Sequence, residues 1–270
     1  MDTVEYINGF AFGYSVYSNA VPDSEYHCRN DYEIMYVKNG KRQAFVKDKS
    51  YVLTGGQLLL IDKNELHKTS HISDKYERFV INFNESYILP SIRRKLNILF
   101  EQRIFAPDNA ASVEKIFFRI FSEWENLRKN DNMAADNIKC YINILLAYLI
   151  RNHDKFACIG TKIDNPSIER LLIYMNDHFM EHISLSDAAD MLHLSPPYLS
   201  KIFLKYTGFG FSEYLKTLRV ETAKKLLSNT TMSVTKISDE CGFSDSNYFS
   251  VVFKEQTGFS PLRYRKMNSV

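Results

Sequence analysis

The spacing of hydrophobic and polar positions changes character twice along this 270-residue chain. Up to about residue 90, short runs rich in Tyr, Phe and Val are broken by turn residues. YEIMYV (32–37), QAFVK (43–47), YVLTG (51–55), LLLID (58–62) and RFVINF (78–83) are predicted strands. Asn39-Gly40 between the first two signals a hairpin, and Asp48-Lys49 and Gly55-Gly56 mark further turns. Strands this close together, with no helix between them, predict a barrel or sandwich. From 108 to 156 the apolar residues recur every three or four positions. Val113, Ile116, Phe117, Ile120, Phe121 and Trp124 form one stripe. Ile138, Tyr141, Ile142, Leu145, Leu146 and Leu149 form another after a polar break at 129–132. An antiparallel helix pair is expected, able to cover the strands, to offer a dimer surface, or both. CIGTKIDN (158–165) predicts a linker ended by Asn165-Pro166, a cap followed by a first-turn proline, and the rest of the chain is predicted to be helical.

The helical third contains a repeat. LSPPYLSKIFLKYTGFGFSEY (194–214) aligns with FSDSNYFSVVFKEQTGFSPLRY (243–264). Tyr198, Ser200, Phe203, Thr207, Gly208, Phe209 and Tyr214 recur fifty residues later, and Leu185, Leu194 and Ser195 recur at forty-nine, so the second copy has one extra residue in its turn. Each copy predicts helix, tight turn, helix. Ser184 with Asp187, and Ser233, cap the first helices. Ala188, Ala189 and Leu192 in one copy, and Ile237, Ser238 and Cys241 in the other, give inner faces small enough for two short helices to cross closely. Ser195 caps the next helix with Pro196 as its first residue, and Gly208 and Gly258 stop the second helices. Leu199, Ile202, Phe203 and Tyr206, and then Phe249, Val252 and Phe253, point inward. That leaves Pro197, Ser200, Lys201 and Lys205, and Ser246, Asn247, Ser250, Val251 and Lys254, on the outer faces. Such a face suits a major groove: Lys201 for guanine, Asn247 for adenine, Val251 for a thymine methyl.

Residues 166–270 resemble the AraC/XylS-type DNA-binding domain throughout. GFSDSNYFSVVFKEQTGFSPLRYR (242–265) is similar to the family signature, and YLKTLRVETAKKLL (214–227) to its central helix. Ser238 stands where the family usually has alanine, and Val251 where it more often has a polar or basic residue. The resemblance implies helix-turn-helix units at about 184–206 and 233–256, double-stranded DNA with paired operator half-sites as the target, a homodimer, and RNA polymerase as a further partner. It also implies transcription regulation, activation included. Composition adds a constraint. Net charge is only +2, and 166–270 holds 12 Lys and Arg against 11 Asp and Glu. Phosphate contacts must therefore come from placement, with Lys224, Arg263 and Arg265 as candidates beside the outer lysines.

The front of the chain resembles a cupin. His27-x-Arg29-x3-Glu33-x6-Gly40 and Gly56-x5-Asp62-x-Asn64-x2-His67 are similar to the two cupin motifs, except that Arg29 takes the place of the second histidine. His27, Glu33 and His67 would suit a metal, but a guanidinium beside them repels a cation and favours a carboxylate or phosphate. The expectation is therefore an organic effector, a sugar or small acid, lined by Tyr17, His27, Arg29, Glu33, Tyr36 and His67, with no metal, cofactor or catalytic residue. A cupin metalloenzyme fused to a DNA-binding domain is the alternative. A DNA-repair protein of the Ada type would need a clustered cysteine zinc site. Cys28, Cys140, Cys158 and Cys241 are too scattered for that and are expected as buried small hydrophobes.

The expected architecture is α+β in two domains: a cupin-like sensing barrel at 1–107 with a helical dimerisation segment at 108–158, a linker at 159–165, and an all-α DNA-binding domain at 166–270. Apolar residues at 45% and charged residues at 24% suit packed globular domains rather than disorder. The apolar run 144–150 is too short to span a bilayer, and MDTVEYINGF lacks the basic start of a signal peptide, so a cytoplasmic protein is expected.

Overall fold

The computed structural model describes residues 5–17, 31–63, 65–156 and 161–268. His27, Arg29, Asn64, Cys28 and Cys158 lie outside the described residues. The chain divides into two units, Met1–Ile163 and Asp164–Val270.

Among the described residues the first unit contains nine strands: β1 (Phe10–Tyr17), β2 (Tyr32–Asn39), β3 (Lys41–Val46), β4 (Lys49–Thr54), β5 (Leu58–Ile61), β6 (His67–His71), β7 (Tyr76–Phe83), β8 (Ile104–Phe105) and β9 (Thr161–Lys162). They pair antiparallel in two sheets, ordered β1-β7-β2-β5-β8 and β6-β3-β4-β9. Asn39-Gly40 turns the chain from β2 into β3, but the two strands lie in different sheets and do not pair, so it is a corner between sheets and not the expected hairpin. Met35, Val37, Leu59, Ile61 and Tyr76 of the first sheet meet Ala44, Val46 and Leu53 of the second in one core.

The other face of the first sheet is buried as well. Phe10, Ile34, Tyr36, Leu58, Leu60, Phe79 and Ile81 pack with Val113, Phe117, Ile120, Ile142, Leu145 and Leu149 of two long helices. These are α3 (Ala110–Leu127) and α4 (Ala134–Arg151), preceded by α1 (Pro90–Arg93) and α2 (Leu96–Gln102) and followed by α5 (His153–Phe156). The layers are therefore helix, sheet and sheet. That explains why β2 and β5 read as unbroken apolar runs rather than alternating ones: both faces are covered. The helical stripes do pack on the sheet. Phe121 is the exception, 37% exposed with its ring leaning on Phe12 at 5.3 Å between centroids.

Four strands escape the sequence pattern. β1 is an edge strand whose burial fades toward Tyr17, β6 (HKTSH) has no aliphatic residue, and β8 and β9 are two residues long. β9 also shortens the expected linker. Thr161 and Lys162 pair with Val52 and Tyr51, and the Ile163 amide donates to the Ser50 carbonyl at 2.9 Å.

The second unit is helical: α6 (Pro166–His178), α7 (Leu185–Met191), α8 (Pro196–Thr207), α9 (Phe211–Asn229), α10 (Val234–Glu240), α11 (Ser246–Thr257) and α12 (Pro261–Asn268). α6 starts where Asn165-Pro166 predicts, with the Asn165 side chain accepting from the Ile168 amide at 3.2 Å. Among the described residues no helix is long and apolar enough to cross a membrane.

Candidate nucleic-acid interface and barrel interior

The two helix-turn-helix units are built alike and differ instructively. Ser184 and Asp187 form a reciprocal capping box on α7, and Ser233 accepts from the Lys236 amide on α10. The turn residues His193 and Gly242, forty-nine apart, both adopt left-handed backbone with φ of 55° and 76°. The helices that follow begin differently. Ser195 stands at the cap of α8, but its side chain makes no capping hydrogen bond. Pro196 and Pro197 have no amide hydrogens, so the first turn has fewer donors to satisfy. In the second unit the extra residue is Asp245, whose carboxylate accepts from the Tyr248 amide at 2.7 Å and caps α11. One copy starts its helix with prolines, the other with a charged cap.

Both helices stop in the same way. Gly208 and Gly258 are left-handed, and their amides reach the Leu204 and Lys254 carbonyls at 2.7 and 2.8 Å. Thr207 and Thr257 each donate to a carbonyl four residues back, Phe203 or Phe253, and each accepts the amide of the following Phe209 or Phe259. The repeat is thus a repeat of hydrogen bonds as well as of letters.

The inner faces are packed. Leu199, Phe203 and Tyr206 of α8 are buried, and Phe249, Val252 and Phe253 of α11 join Val220, Ala223 and Leu227 of α9 in one cluster with Ile237 and Cys241. Ser238 is also fully buried, and among the described residues its hydroxyl has no hydrogen-bond partner. The opposite faces are open. Pro197, Lys201, Leu204 and Lys205 on α8, and Asn247, Val251 and Lys254 on α11, are exposed; Ser200, Ser246 and Ser250 are half-buried, and the Ser250 hydroxyl donates to the Ser246 carbonyl. Sequence reasoning overlooked Tyr198 and Tyr248, exposed by 54% and 47% at the first turns of α8 and α11. The signal was present: an aromatic repeated at fifty residues but outside the inward set.

Two candidates for phosphate contact need correction. Lys224 is half-buried, and its ammonium pairs with Glu221 one turn back on α9 at 2.8 Å, so its charge is offset within its own helix. Arg265 donates to the Leu227 carbonyl at 3.3 Å and the Met232 carbonyl at 2.5 Å, tying α12 to the end of α9. Arg263 remains exposed over the Phe259 ring. Arg219 is likewise structural, donating to the Phe179 and Glu181 carbonyls.

In the first unit the expected effector residues separate by strand parity. Glu33 and His67 meet: both are buried, with His67 Nε2 3.7 Å from Glu33 Oε2 and His67 Nδ1 2.9 Å from the Glu65 carbonyl. A carbonyl only accepts, so Nδ1 carries a proton. Tyr17 stacks on Tyr76 with centroids 5.8 Å apart, beside the core between the sheets. Tyr36 does not belong with them. It is an odd number of residues from Glu33 and faces the helices, where its ring stacks on Phe117 and its hydroxyl donates to Glu114 at 3.1 Å. Cys140 is exposed, contrary to expectation, while Cys241 is buried, and burial pushes its thiol up to about 12. Among the described residues no three His, Cys, Asp or Glu side chains are grouped to hold a metal.

Similarity to known proteins covers both units. Residues 14–138 match the model of the AraC-like ligand binding domain, and residues 188–267 match that of a helix-turn-helix domain. The HTH-type transcriptional activator RhaR of Escherichia coli is 26% identical over 256 residues, covering 90% of this chain and 87% of RhaR. Similar solved structures include the C-terminal domain of AraT, a response regulator from Geobacillus stearothermophilus (32% identity, 39% of this chain, 88% of that one, TM-score 0.39). ToxT from Vibrio cholerae is another (18% identity, 96% of this chain, 99% of that one, TM-score 0.41). With a ligand-binding family domain in front and a helix-turn-helix family domain behind it, this chain belongs to the AraC family of DNA-binding transcription regulators.

Proposed function

We propose that this regulator binds paired operator half-sites as a homodimer in the cytoplasm, and that a small organic effector between the two sheets of the first unit sets its activity. The observation that carries the DNA reading is the pair of exposed faces on α8 and α11, repeated at fifty residues on helices whose other faces are buried. A helix held in this way presents its N-terminal half to base edges while helix ends and nearby cations meet phosphates. The effector reading rests on the match of 14–138 to a ligand-binding domain and on Glu33, His67 and Tyr17 at the inter-sheet layer. RhaR is named an activator, and RNA polymerase is the partner that activation would require.

Lys201→Ala and Asn247→Ala should each weaken binding to a mapped operator by about 1–3 kcal/mol at fixed salt while leaving the melting temperature unchanged. Unaltered operator affinity would remove both residues from the readout. Lys225→Ala, exposed beside the paired Lys224, should instead weaken all DNA alike.

The dimer is assigned to 108–156. With the inner stripes buried, α3 and α4 still expose Phe118 (44%) and Ile144 (54%). Sedimentation should show a dimer at micromolar concentration, converted toward monomer by Phe118→Glu or Ile144→Glu. A wild-type monomer, with and without DNA, would sink this assignment.

A further inference from the structure

We propose that the inter-sheet layer of the first unit holds an anion-binding site in which Arg42, Arg78, Tyr76 and Thr69 take a carboxylate or phosphate of the effector. The proposal rests on the effector reading above and adds the chemical class of the ligand.

The side chains converge from three strands. Arg42 on β3 is 4% exposed and Tyr76 on β7 is 2% exposed. Arg42 Nη2 donates to the Thr69 hydroxyl at 2.6 Å and to the Thr69 carbonyl at 3.0 Å. Arg78 Nη1 reaches the same hydroxyl at 3.5 Å and the Met35 sulfur at 3.8 Å. The two guanidinium carbons lie 4.8 and 5.8 Å from the centre of the Tyr76 ring, whose other neighbour is the stacked ring of Tyr17. Two like charges, Arg42 buried and Arg78 half-buried, therefore share one hydroxyl and one aromatic ring, where solvent screens their repulsion only in part.

Two donors in this cluster lack an acceptor, since the Arg42 guanidinium that faces the Tyr76 hydroxyl has only donors to offer. Among the described residues the Arg78 Nε and the Tyr76 hydroxyl are buried atoms with no hydrogen-bond partner, and Arg78 makes no ion pair. Burial raises the Tyr76 phenol above its ordinary pKa, so it stays protonated and available as a donor. Leaving buried donors unmet is unfavourable, and native structures rarely do so without a ligand or solvent to satisfy them. A guanidinium has donors only, and its planar fork matches the paired oxygens of a carboxylate or phosphate. A bound anion would answer the repulsion and the unmet donors together. The aromatic pair beside it offers a surface for the rest of a small organic molecule.

The test follows thermal unfolding of the full-length protein with D-glucose, D-glucuronate, glucose 6-phosphate and inorganic phosphate, each up to about 50 mM at matched ionic strength. The same samples are assayed for operator binding. One or more anions should raise the melting temperature saturably where glucose does not; a response to glucuronate alone points to a carboxylate, and to either phosphate compound alone to a phosphate. Arg78→Met should raise the melting temperature of the unliganded protein and weaken the anion response about tenfold. Tyr76→Phe keeps the ring, removes only the hydroxyl, and should weaken the response a few-fold; it carries the test if Arg78→Met fails to fold. A response that persists in both variants arises elsewhere, on the DNA-binding face for example, and overturns the site. No difference between anions and glucose also overturns it. If glucose alone binds and Tyr76→Phe abolishes that, the anion assignment falls while the effector reading stands. If anions bind here without altering operator binding, the site stands and the effector reading falls.

Discussion

Arg103→Met should destabilise the first unit by about 3 kcal/mol or more, because it leaves the Glu65 carboxylate buried without its main partner. Glu65 is 5% exposed. Arg103 grips both its oxygens, through Nη1 on Oε2 and through Nη2 on Oε1 at 2.7 Å, and Lys47 adds a contact at 2.8 Å. Lys47 is mostly exposed, so it offsets only part of the loss. Burial pushes the Glu65 carboxyl up, but the hydrogen bonds from Arg103 and Lys47 outweigh it, and the net shift is downward. A carboxyl with a lowered folded pKa contributes stability that is complete above its unfolded pKa and is lost as pH falls through the folded one. The deficit of Arg103→Met relative to wild type should therefore be largest near neutral pH and shrink in acid, where a protonated Glu65 no longer needs a cation. Urea unfolding at several pH values checks this. A deficit that is small at pH 7, or that grows on acidification, would show that the pair adds little.

Gly242→Ala should be almost as severe for the second unit, costing about 2–4 kcal/mol and abolishing operator binding. The turn between α10 and α11 holds Gly242 at φ 76°, a conformation that costs a residue with a Cβ roughly 1–2 kcal/mol. A Cβ there would also lie 2.5 Å from the Met180 carbonyl oxygen and 2.6 Å from its Cα, and backbone cannot step aside as a flexible side chain does. The first copy supplies the control. His193 occupies the matching turn position at φ 55° with a side chain already present, so His193→Gly should be neutral or stabilising by up to about 1 kcal/mol. Hydrogen exchange on the full chain would localise the Gly242→Ala loss to residues 164–270. Equal protection in variant and wild type would overturn the argument.

Tandem helix-turn-helix architecture is legible in the sequence because its signals are local. The 3.6-residue period, the capping residues Ser184, Ser233 and Asn165, and the stop at Gly208 and Gly258 act within a turn or two of where they stand. The fifty-residue repeat then did the work of comparison. It identified outward faces correctly because each short helix has only one buried side. It did not reveal that Asp245 replaces the prolines as the start of α11, or that Tyr198 and Tyr248 stand outside the packed set.

The front unit was legible in outline and misleading in detail. Turns and apolar strands were readable, although the Asn39-Gly40 turn passes between sheets instead of closing a hairpin, and Glu33 and His67 do come together, from strands in different sheets. Tyr36 was misplaced because β2 is buried on both faces, and a strand with no polar side carries no alternation to say which residues look inward. β6 went unseen because its sequence has no strand pattern; pairing with β3 makes it a strand. Lys224 and Arg265 looked available for phosphate until α9 and α12 were in place to supply Glu221 and the carbonyls of Leu227 and Met232. Period, caps and turns depend on neighbours in the chain, so sequence determined the helix-turn-helix pair, its inward faces and the start of the second unit. Which cations keep their charge for a partner, and that Arg42, Arg78 and Tyr76 share one buried cluster, depend on residues brought together across strands. Only the tertiary structure could decide those.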